Sequence, residues 1–287
     1  MSLPDVAERW LPRPRRGGDE PVRLFCLPYA GGGASIFRRW SEEMPPGIDV
    51  CPIQLPGREG RLMEPAFSDL APLVARLAEV LEPYLDRPFA LFGHSMGALI
   101  GFELARQLGR AGQPTPVHLF VSASRAPQLP RRGEPIHALP DAAFLDALRH
   151  MAGTPEPVLR DAELVQLMLP ALRADFELVE TYRYREGAPL AGPISAFGGV
   201  GDDLVRRSEL AGWAEQTGGP FELRMLPGNH FFLADPVARP ALIQALAREL
   251  APLAGARPGL SQAASSGWLG EPAGRWLAGS KSGRPAV

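Results

Sequence analysis

Short apolar runs alternate along most of the chain with longer stretches of helical periodicity. The short runs are rich in β-branched and aromatic residues, as expected of buried strands. In the longer stretches apolar residues recur every three or four positions, as on the buried face of a helix. This alternation predicts an α/β fold with a mostly parallel sheet and crossover helices. The predicted strands are residues 22–27, 49–54, 89–92, 117–121, 194–199 and 221–226, and the predicted helices are 36–44, 70–85, 98–111, 209–216 and 236–253.

The alternation stops between about residues 125 and 187, where only helical patterns are found. One helix is predicted at 141–151 and another from 161 to about 184, interrupted by Pro170. A helical insertion between two strands predicts a lid over the carboxyl ends of the sheet. A long crossover connection is the alternative.

The two ends of the chain differ from the main domain, which is expected to span residues 21–253. Residues 1–20 carry charges and prolines without an apolar core and predict a flexible arm rather than a secretory signal. Residues 254–287 are rich in Gly, Ser, Ala and Pro and predict a disordered tail, in which Trp268 and Trp276 are unusual.

Composition narrows the class of protein. In 287 residues, 45% are hydrophobic, 22% are charged and the formal net charge is −2, which is typical of a globular domain and argues against a nucleic-acid partner. No apolar run has the length of a membrane span. Cys26 and Cys51 lie in strand-like runs, so they are expected to be buried free thiols in a reducing, cytoplasmic compartment.

The segment Gly93-His94-Ser95-Met96-Gly97 follows a predicted strand and precedes a predicted helix. This context is typical of a nucleophile elbow, in which a sharp turn lifts a serine hydroxyl clear of the sheet. Flanking glycines are needed because side chains there would clash with the neighbouring strand and helix. Ser95 is therefore the candidate nucleophile.

A serine nucleophile needs a base, and the base needs an orienting carboxylate. Among the five histidines, His230 follows the strand at 221–226 on a loop where ligand chemistry is expected. The loop after the strand at 194–199 supplies Asp202 and Asp203 as candidate acids. The resulting order, serine, acid and then histidine, matches that of α/β-hydrolases.

An oxyanion formed at Ser95 would need preorganised backbone donors. One candidate is the N–H of Met96, and the other should come from the loop at residues 28–33, which contains three consecutive glycines. A phosphate-binding loop is the rival interpretation, but the expected glycine pattern is absent from the sequence.

These motifs together resemble the type II thioesterases, free-standing α/β-hydrolases that accompany polyketide synthases and nonribosomal peptide synthetases. The resemblance runs from about Trp10 to Leu253. The segments that carry it are Leu27-Pro28-Tyr29-Ala30-Gly31-Gly32, Gln54-Leu55-Pro56-Gly57-Arg58-Glu59, Gly93-His94-Ser95-Met96-Gly97 and Pro227-Gly228-Asn229-His230-Phe231-Phe232-Leu233.

The resemblance implies a triad of Ser95, Asp202 and His230, with the N–H groups of Ala30 and Met96 as the oxyanion hole. The family usually has histidine in place of Tyr29, and Asp-Pro in place of the two adjacent aspartates.

The fold implied by the resemblance is an α/β-hydrolase fold with a helical lid insertion. The activity implied is hydrolysis of unproductive acyl groups from the phosphopantetheine arm of acyl or peptidyl carrier domains, in trans. No cofactor, metal, membrane or nucleic acid is expected, and we expect a monomer.

Two other functions remain open from the sequence: a small-molecule esterase or acyltransferase of the same fold, and a non-catalytic binding module. Carrier domains are usually acidic, so Arg125, Arg131 and Arg132 are candidates for guiding their docking. Ordinary solvated arginines are the alternative interpretation.

Overall fold

A parallel sheet of six strands lies at the centre of the computed structural model, which describes residues 8–12, 20–151 and 160–255. The strand order is β2-β1-β3-β4-β5-β6. The strands are β1 Val22–Leu27, β2 Ile48–Pro52, β3 Phe89–His94, β4 His118–Ser122, β5 Ile194–Gly199 and β6 Phe221–Leu226. Most of the predicted arm, and the predicted tail with Trp268 and Trp276 beyond residue 255, lie outside the described residues.

Seven α-helices have both of their ends within those same ranges. They are α1 Trp40–Glu43, α2 Leu70–Leu81, α3 Met96–Arg110, α4 Asp141–Met151, α5 Ala162–Thr181, α6 Arg207–Ala211 and α7 Ala238–Ala254. The helices of the described residues do not combine the length and the apolar character that a bilayer crossing requires.

Both faces of the sheet are covered, which explains why most of the strands read as continuous apolar runs. On β1, Phe25 and Leu27 belong to one core cluster, which includes buried residues of α2 and α3. Leu24 and Cys26 point to the opposite face and join a second cluster with α1 and α7. Cys26 and Cys51 are buried thiols that form no disulfide within the described residues, as the sequence predicts.

The predicted helices differ from the observed ones where short turns replace regular helix. The predicted helix at 36–44 is a 3₁₀ turn, Ala34–Phe37, followed by the single turn of α1. The predicted interruption at Pro170 is wrong, because α5 runs through it without a break. Proline removes one intrahelical hydrogen bond, and the apolar packing of Leu172 and Phe176 against α4 holds the helix on the far side of it.

The strand order places a topological switch point at β1. After β1 the chain forms β2 on one side, and then returns to form β3 on the other side. Loops that leave the carboxyl ends of such neighbouring strands diverge and leave a crevice, where ligands bind in open α/β sheets. The loop at residues 28–33 and the turn at Ser95 border this crevice.

Candidate active site

Ser95 occupies a strained turn between β3 and α3. Its φ is +52° and its ψ is −112°, a conformation that non-glycine residues rarely adopt. A Cβ at Gly93 would overlap the carbonyl oxygen of Gly97, and a Cβ at Gly97 would overlap the carbonyl oxygen of Leu27. The two glycines are therefore needed because backbone passes where a side chain would start. The backbone N–H of Ser95 donates to the carbonyl of Ser122 at 2.7 Å and fixes the turn on β4.

A cavity of about 270 Å³ opens at this turn, and both Ser95 and His230 line it. Its other walls come from the loop after β1 and from the insertion between β4 and β5. The side chains that α4 and α5 contribute are mostly apolar: Leu148, Met151, Leu172, Phe176 and Val179. The cavity therefore offers an apolar space beside the half-buried Ser95.

His230 and Asp202 form a close pair behind Ser95. Nδ1 of His230 lies 2.9 Å from Oδ2 of Asp202, whose side chain is fully buried. The other carboxylate oxygen of Asp202 accepts the N–H groups of Leu204 and Val205, at 2.8 and 3.0 Å. A carboxylate fixed in this way orients the ring and keeps the proton on Nδ1, which leaves Nε2 available as a base. Asp203 is exposed.

Ser95 and His230 share the cavity without a hydrogen bond between their side chains in the described part of the chain. Catalytic hydrogen bonds are often long without substrate and shorten only when it binds. The geometry therefore brings together the three residues predicted from the sequence, with one of the two expected contacts formed.

Two backbone donors at the cavity have no acceptor among the residues that the structure describes. Ala30 and Met96 both line the cavity, and within residues 8–12, 20–151 and 160–255 neither N–H donates a hydrogen bond. Unpaired N–H groups at a buried position are unusual. Near a serine hydroxyl they provide what a developing oxyanion requires.

His94 has a part in the site that the sequence does not reveal. Its Nε2 lies 2.8 Å from the carbonyl oxygen of His230, and its Nδ1 lies 2.9 Å from Oγ of Ser122. A carbonyl only accepts, so Nε2 carries the proton and Nδ1 accepts from the hydroxyl. Burial lowers the pKa of His94 well below its ordinary value, so the ring is neutral. His94 thus fixes the backbone that carries the candidate base.

Asp175 is a second residue that sequence reasoning missed. It lies on α5, far from the elbow in sequence, and its Oδ2 accepts the N–H of Gly31 at 2.7 Å. Gly31 adopts a φ of +79° and directly follows Ala30. In the sequence, Asp175 is marked only by being a carboxylate among the apolar residues of a predicted helix. The contact was not predictable because it joins residues 144 positions apart.

A second serine–histidine pair lies at the opposite end of the sheet. Nε2 of His118 lies 2.9 Å from Oγ of Ser195. His118 begins β4 and Ser195 is the second residue of β5, so both lie near the amino ends of these strands, away from Ser95. His118 also stacks on Phe120, and burial lowers its pKa to about 4. This pair has the character of a buried structural contact.

The three arginines considered for docking all line the cavity. Arg131 donates to Glu180 at 2.7 Å, and Arg132 forms an ion pair with Glu209 at 2.5 Å. Arg132 is exposed, whereas Arg125 and Arg131 are only partly so. Ordinary solvation therefore does not describe Arg125 or Arg131.

The sequence pattern of the thioesterase domain family matches residues 22–250. The chain belongs to the thioesterase family. The predicted resemblance is thereby confirmed at the level of the family, over the part of the chain that forms the sheet, the elbow and the two loops.

Characterised relatives make the resemblance more specific. The gramicidin S biosynthesis protein GrsT of Aneurinibacillus migulanus is 47% identical over 233 residues, which cover 81% of this chain and 91% of that protein. Thioesterase PikA5 of Streptomyces venezuelae is 42% identical over 228 residues, 79% of this chain and 80% of that one. The type II thioesterase BorB from the borrelidin biosynthetic cluster has a solved structure that is 40% identical. Its TM-score is 0.75, with 84% of this chain and 96% of that chain covered. The α/β-hydrolase fold and the similarity to type II thioesterases are thus both confirmed.

Proposed function

We propose that this thioesterase is a serine hydrolase in which Ser95, His230 and Asp202 act as a catalytic triad. The observation that carries the proposal is the contact of 2.9 Å between His230 Nδ1 and Asp202 Oδ2, in a chain that presents Ser95 on a strained elbow in the same cavity. Nε2 of His230 takes the proton of the Ser95 hydroxyl as Oγ attacks the thioester carbonyl carbon. The carbonyl oxygen becomes an oxyanion, which the N–H groups of Ala30 and Met96 bind.

Collapse of this intermediate breaks the carbon–sulfur bond and forms an acyl ester on Ser95. The proton held on His230 passes to the departing thiolate, which is a good leaving group and needs little acid assistance. Water then enters, gives a proton to His230 and attacks the ester carbonyl. A second oxyanion collapses, the free acid leaves, and the proton returns to Oγ of Ser95.

The substrate class we propose is an acyl group on the phosphopantetheine arm of a carrier domain, hydrolysed in trans as an editing reaction. The names and titles of the relatives support this class, since they include proteins of gramicidin S and borrelidin biosynthesis. We propose that residues 125–187 act as a lid. The apolar wall from α4 and α5 supports this role, because it suits an acyl chain while the arm extends to the surface.

Steady-state kinetics with one acyl group on three leaving groups test this function. The substrates are a butyryl-carrier protein, the small thioester butyryl-N-acetylcysteamine and the oxygen ester methyl butyrate. We expect kcat/KM to be highest for the carrier protein, because remote binding energy can be used at the reacting centre. The small thioester should come next and the oxygen ester last.

A faster reaction with the oxygen ester, without any gain from the carrier, would contradict the proposal and favour a general esterase of the same fold. Absence of hydrolysis of all three substrates by folded protein would favour a binding module.

A further inference from the structure

Arg125 lies three residues beyond the end of β4 and lines the same cavity as Ser95. The backbone around it is fixed on both sides. The carbonyl of Ser124 accepts from the indole nitrogen of Trp213 at 2.8 Å, and the N–H of Ala126 donates to the carbonyl of Glu209 at 3.0 Å. The side chain of Arg125 therefore projects from a rigid support.

The guanidinium of Arg125 has no partner among the described residues. It forms no side-chain hydrogen bond or ion pair there, and its Nη1 is buried without an acceptor. Among the described residues, the two carboxylates that line the same cavity have other partners: Glu180 pairs with Arg131 and Glu209 pairs with Arg132. Glu180 also accepts the N–H groups of residues 136 and 137.

Two arginines and one carboxylate act electrostatically on Arg125. Burial is the main cause that lowers the pKa of Arg125; the positive charges of Arg131 and Arg132 lower it further, and the carboxylate of Glu209 opposes them. Arg131 likewise has a buried Nη1 without an acceptor within the described ranges. Partly buried cations with unpaired donors are unfavourable unless an anion reaches them. The cavity that Ser95 lines thus contains a preorganised cationic group whose Nη1 is unused among the described residues.

Building on the proposed function, we propose that Arg125 is a binding residue for an anionic oxygen group of the substrate. The planar guanidinium recognises carboxylates and phosphates alike through two parallel hydrogen bonds. The group could be a carboxylate at the far end of the acyl chain or the phosphate of the arm. Both have the same chemistry, and paired substrates distinguish them.

Binding is measured by calorimetry in a Ser95→Ala background, which keeps thioesters intact and does not depend on turnover. The first pair is succinyl- and butyryl-N-acetylcysteamine, which differ by a carboxylate and carry no phosphate. The second pair is butyryl-phosphopantetheine and butyryl-pantetheine, which differ by the phosphate. For each pair the ratio of the two Kd values is compared before and after Arg125→Gln.

We expect Arg125→Gln to reduce the preference for the anionic member of one pair by about tenfold or more, since hydrogen bonds to charged groups contribute more than neutral ones. Arg125→Lys should keep part of the preference, because lysine retains the positive charge but cannot form the bidentate pair of hydrogen bonds. A change in the first pair assigns the site to the acyl group, and a change in the second assigns it to the arm.

Arg132→Gln is the matched comparison, because Arg132 lines the same cavity but is already paired with Glu209. It should change either ratio much less than Arg125→Gln. An equal effect of both variants would show a general positive field and overturn the site at Arg125. Ratios unchanged within about twofold in both pairs, with wild-type Tm, would also overturn it. Failure of the proposed function would appear separately, as absence of hydrolysis by the wild-type protein.

Discussion

Arg58 and Asp175 form a buried ion pair through two hydrogen bonds of 2.6 and 2.8 Å. The pair joins the loop after β2 to helix α5, and Asp175 extends the connection to Gly31 beside Ala30. Helix α5 also packs closely against the loop after β1, since a Cβ at Gly31 would lie only 2.5 Å from Cδ2 of Leu172. One carboxylate, that of Asp175, therefore fixes the helical insertion relative to the loop that carries a proposed oxyanion donor.

Asp175→Asn should lower both stability and kcat. The substitution leaves the charge of Arg58 buried and unpaired, and breaking such a pair typically costs about 3–5 kcal/mol. The substitution should also weaken the contact that holds Gly31, and with it the proposed oxyanion donor Ala30. We therefore expect kcat to fall by a larger factor than KM rises. Denaturant unfolding and steady-state kinetics measure the two effects.

Glu79→Gln is the matched control, because Arg76 and Glu79 form an exposed ion pair on α2. Exposed pairs contribute about 0–1 kcal/mol, so little change is expected. Equal stability losses in the two variants would contradict the role given to the buried pair.

Asp202→Asn should reduce kcat by about 10³–10⁴-fold, because an amide in place of the carboxylate stabilises the wrong tautomer of the histidine. Asp203→Asn is the adjacent control. Asp203 is exposed, and its substitution should leave kcat within about threefold of wild type. A reversed order of the two effects would make Asp203 the orienting acid.

His94→Phe should lower kcat while keeping the volume of the ring. It leaves the carbonyl of His230 without its donor, and an unsatisfied buried polar group costs about 1–3 kcal/mol. His118→Phe is the control, since it removes another buried histidine, at the other end of the sheet. Loss of stability in both variants with loss of kcat in His94→Phe alone is the expected result. Equal kcat values would refute the positioning role.

The protein should lose stability as the pH falls from 7 to 5, partly through the buried histidines. His118 has a pKa of about 4 in the folded chain and an ordinary value near 6.5 when unfolded. Above pH 6.5 both states are neutral and the group has no effect. Below pH 6.5 the unfolded state takes up a proton before the folded state does. This difference lowers the free energy of unfolding by about 2 kcal/mol at pH 5.

His118→Phe therefore should show a smaller loss of unfolding free energy between pH 7 and pH 5 than the wild type. Denaturant unfolding at both pH values makes the comparison. An identical pH dependence in the two proteins would mean that His118 takes up its proton at similar pH in both states.

Local patterns in the sequence predict the sheet and the elbow. Strands β1, β5 and β6 have the predicted bounds, because their apolar runs are continuous or end at glycine and proline. The elbow is predictable because clashes at Gly93 and Gly97 leave few alternatives to glycine.

Local sequence patterns do not predict the contacts between segments that are distant along the chain. The bond from His94 to the carbonyl of His230 joins residues 136 apart, and the pair of Arg58 and Asp175 joins residues 117 apart. Such contacts depend on how loops and helices pack after the sheet has formed. Continuity of α5 at Pro170 was missed for the same reason, since packing outweighs the local preference of proline.

The central claim, that Ser95 is the nucleophile, is tested most directly by kcat/KM for butyryl-N-acetylcysteamine in three proteins of equal Tm. Ser124 also lines the cavity and provides a matched serine. We expect Ser95→Ala to lose several orders of magnitude, about 10⁴-fold or more, and Ser124→Ala to stay within about threefold of wild type. Near-normal turnover by a well-folded Ser95→Ala protein would contradict the account.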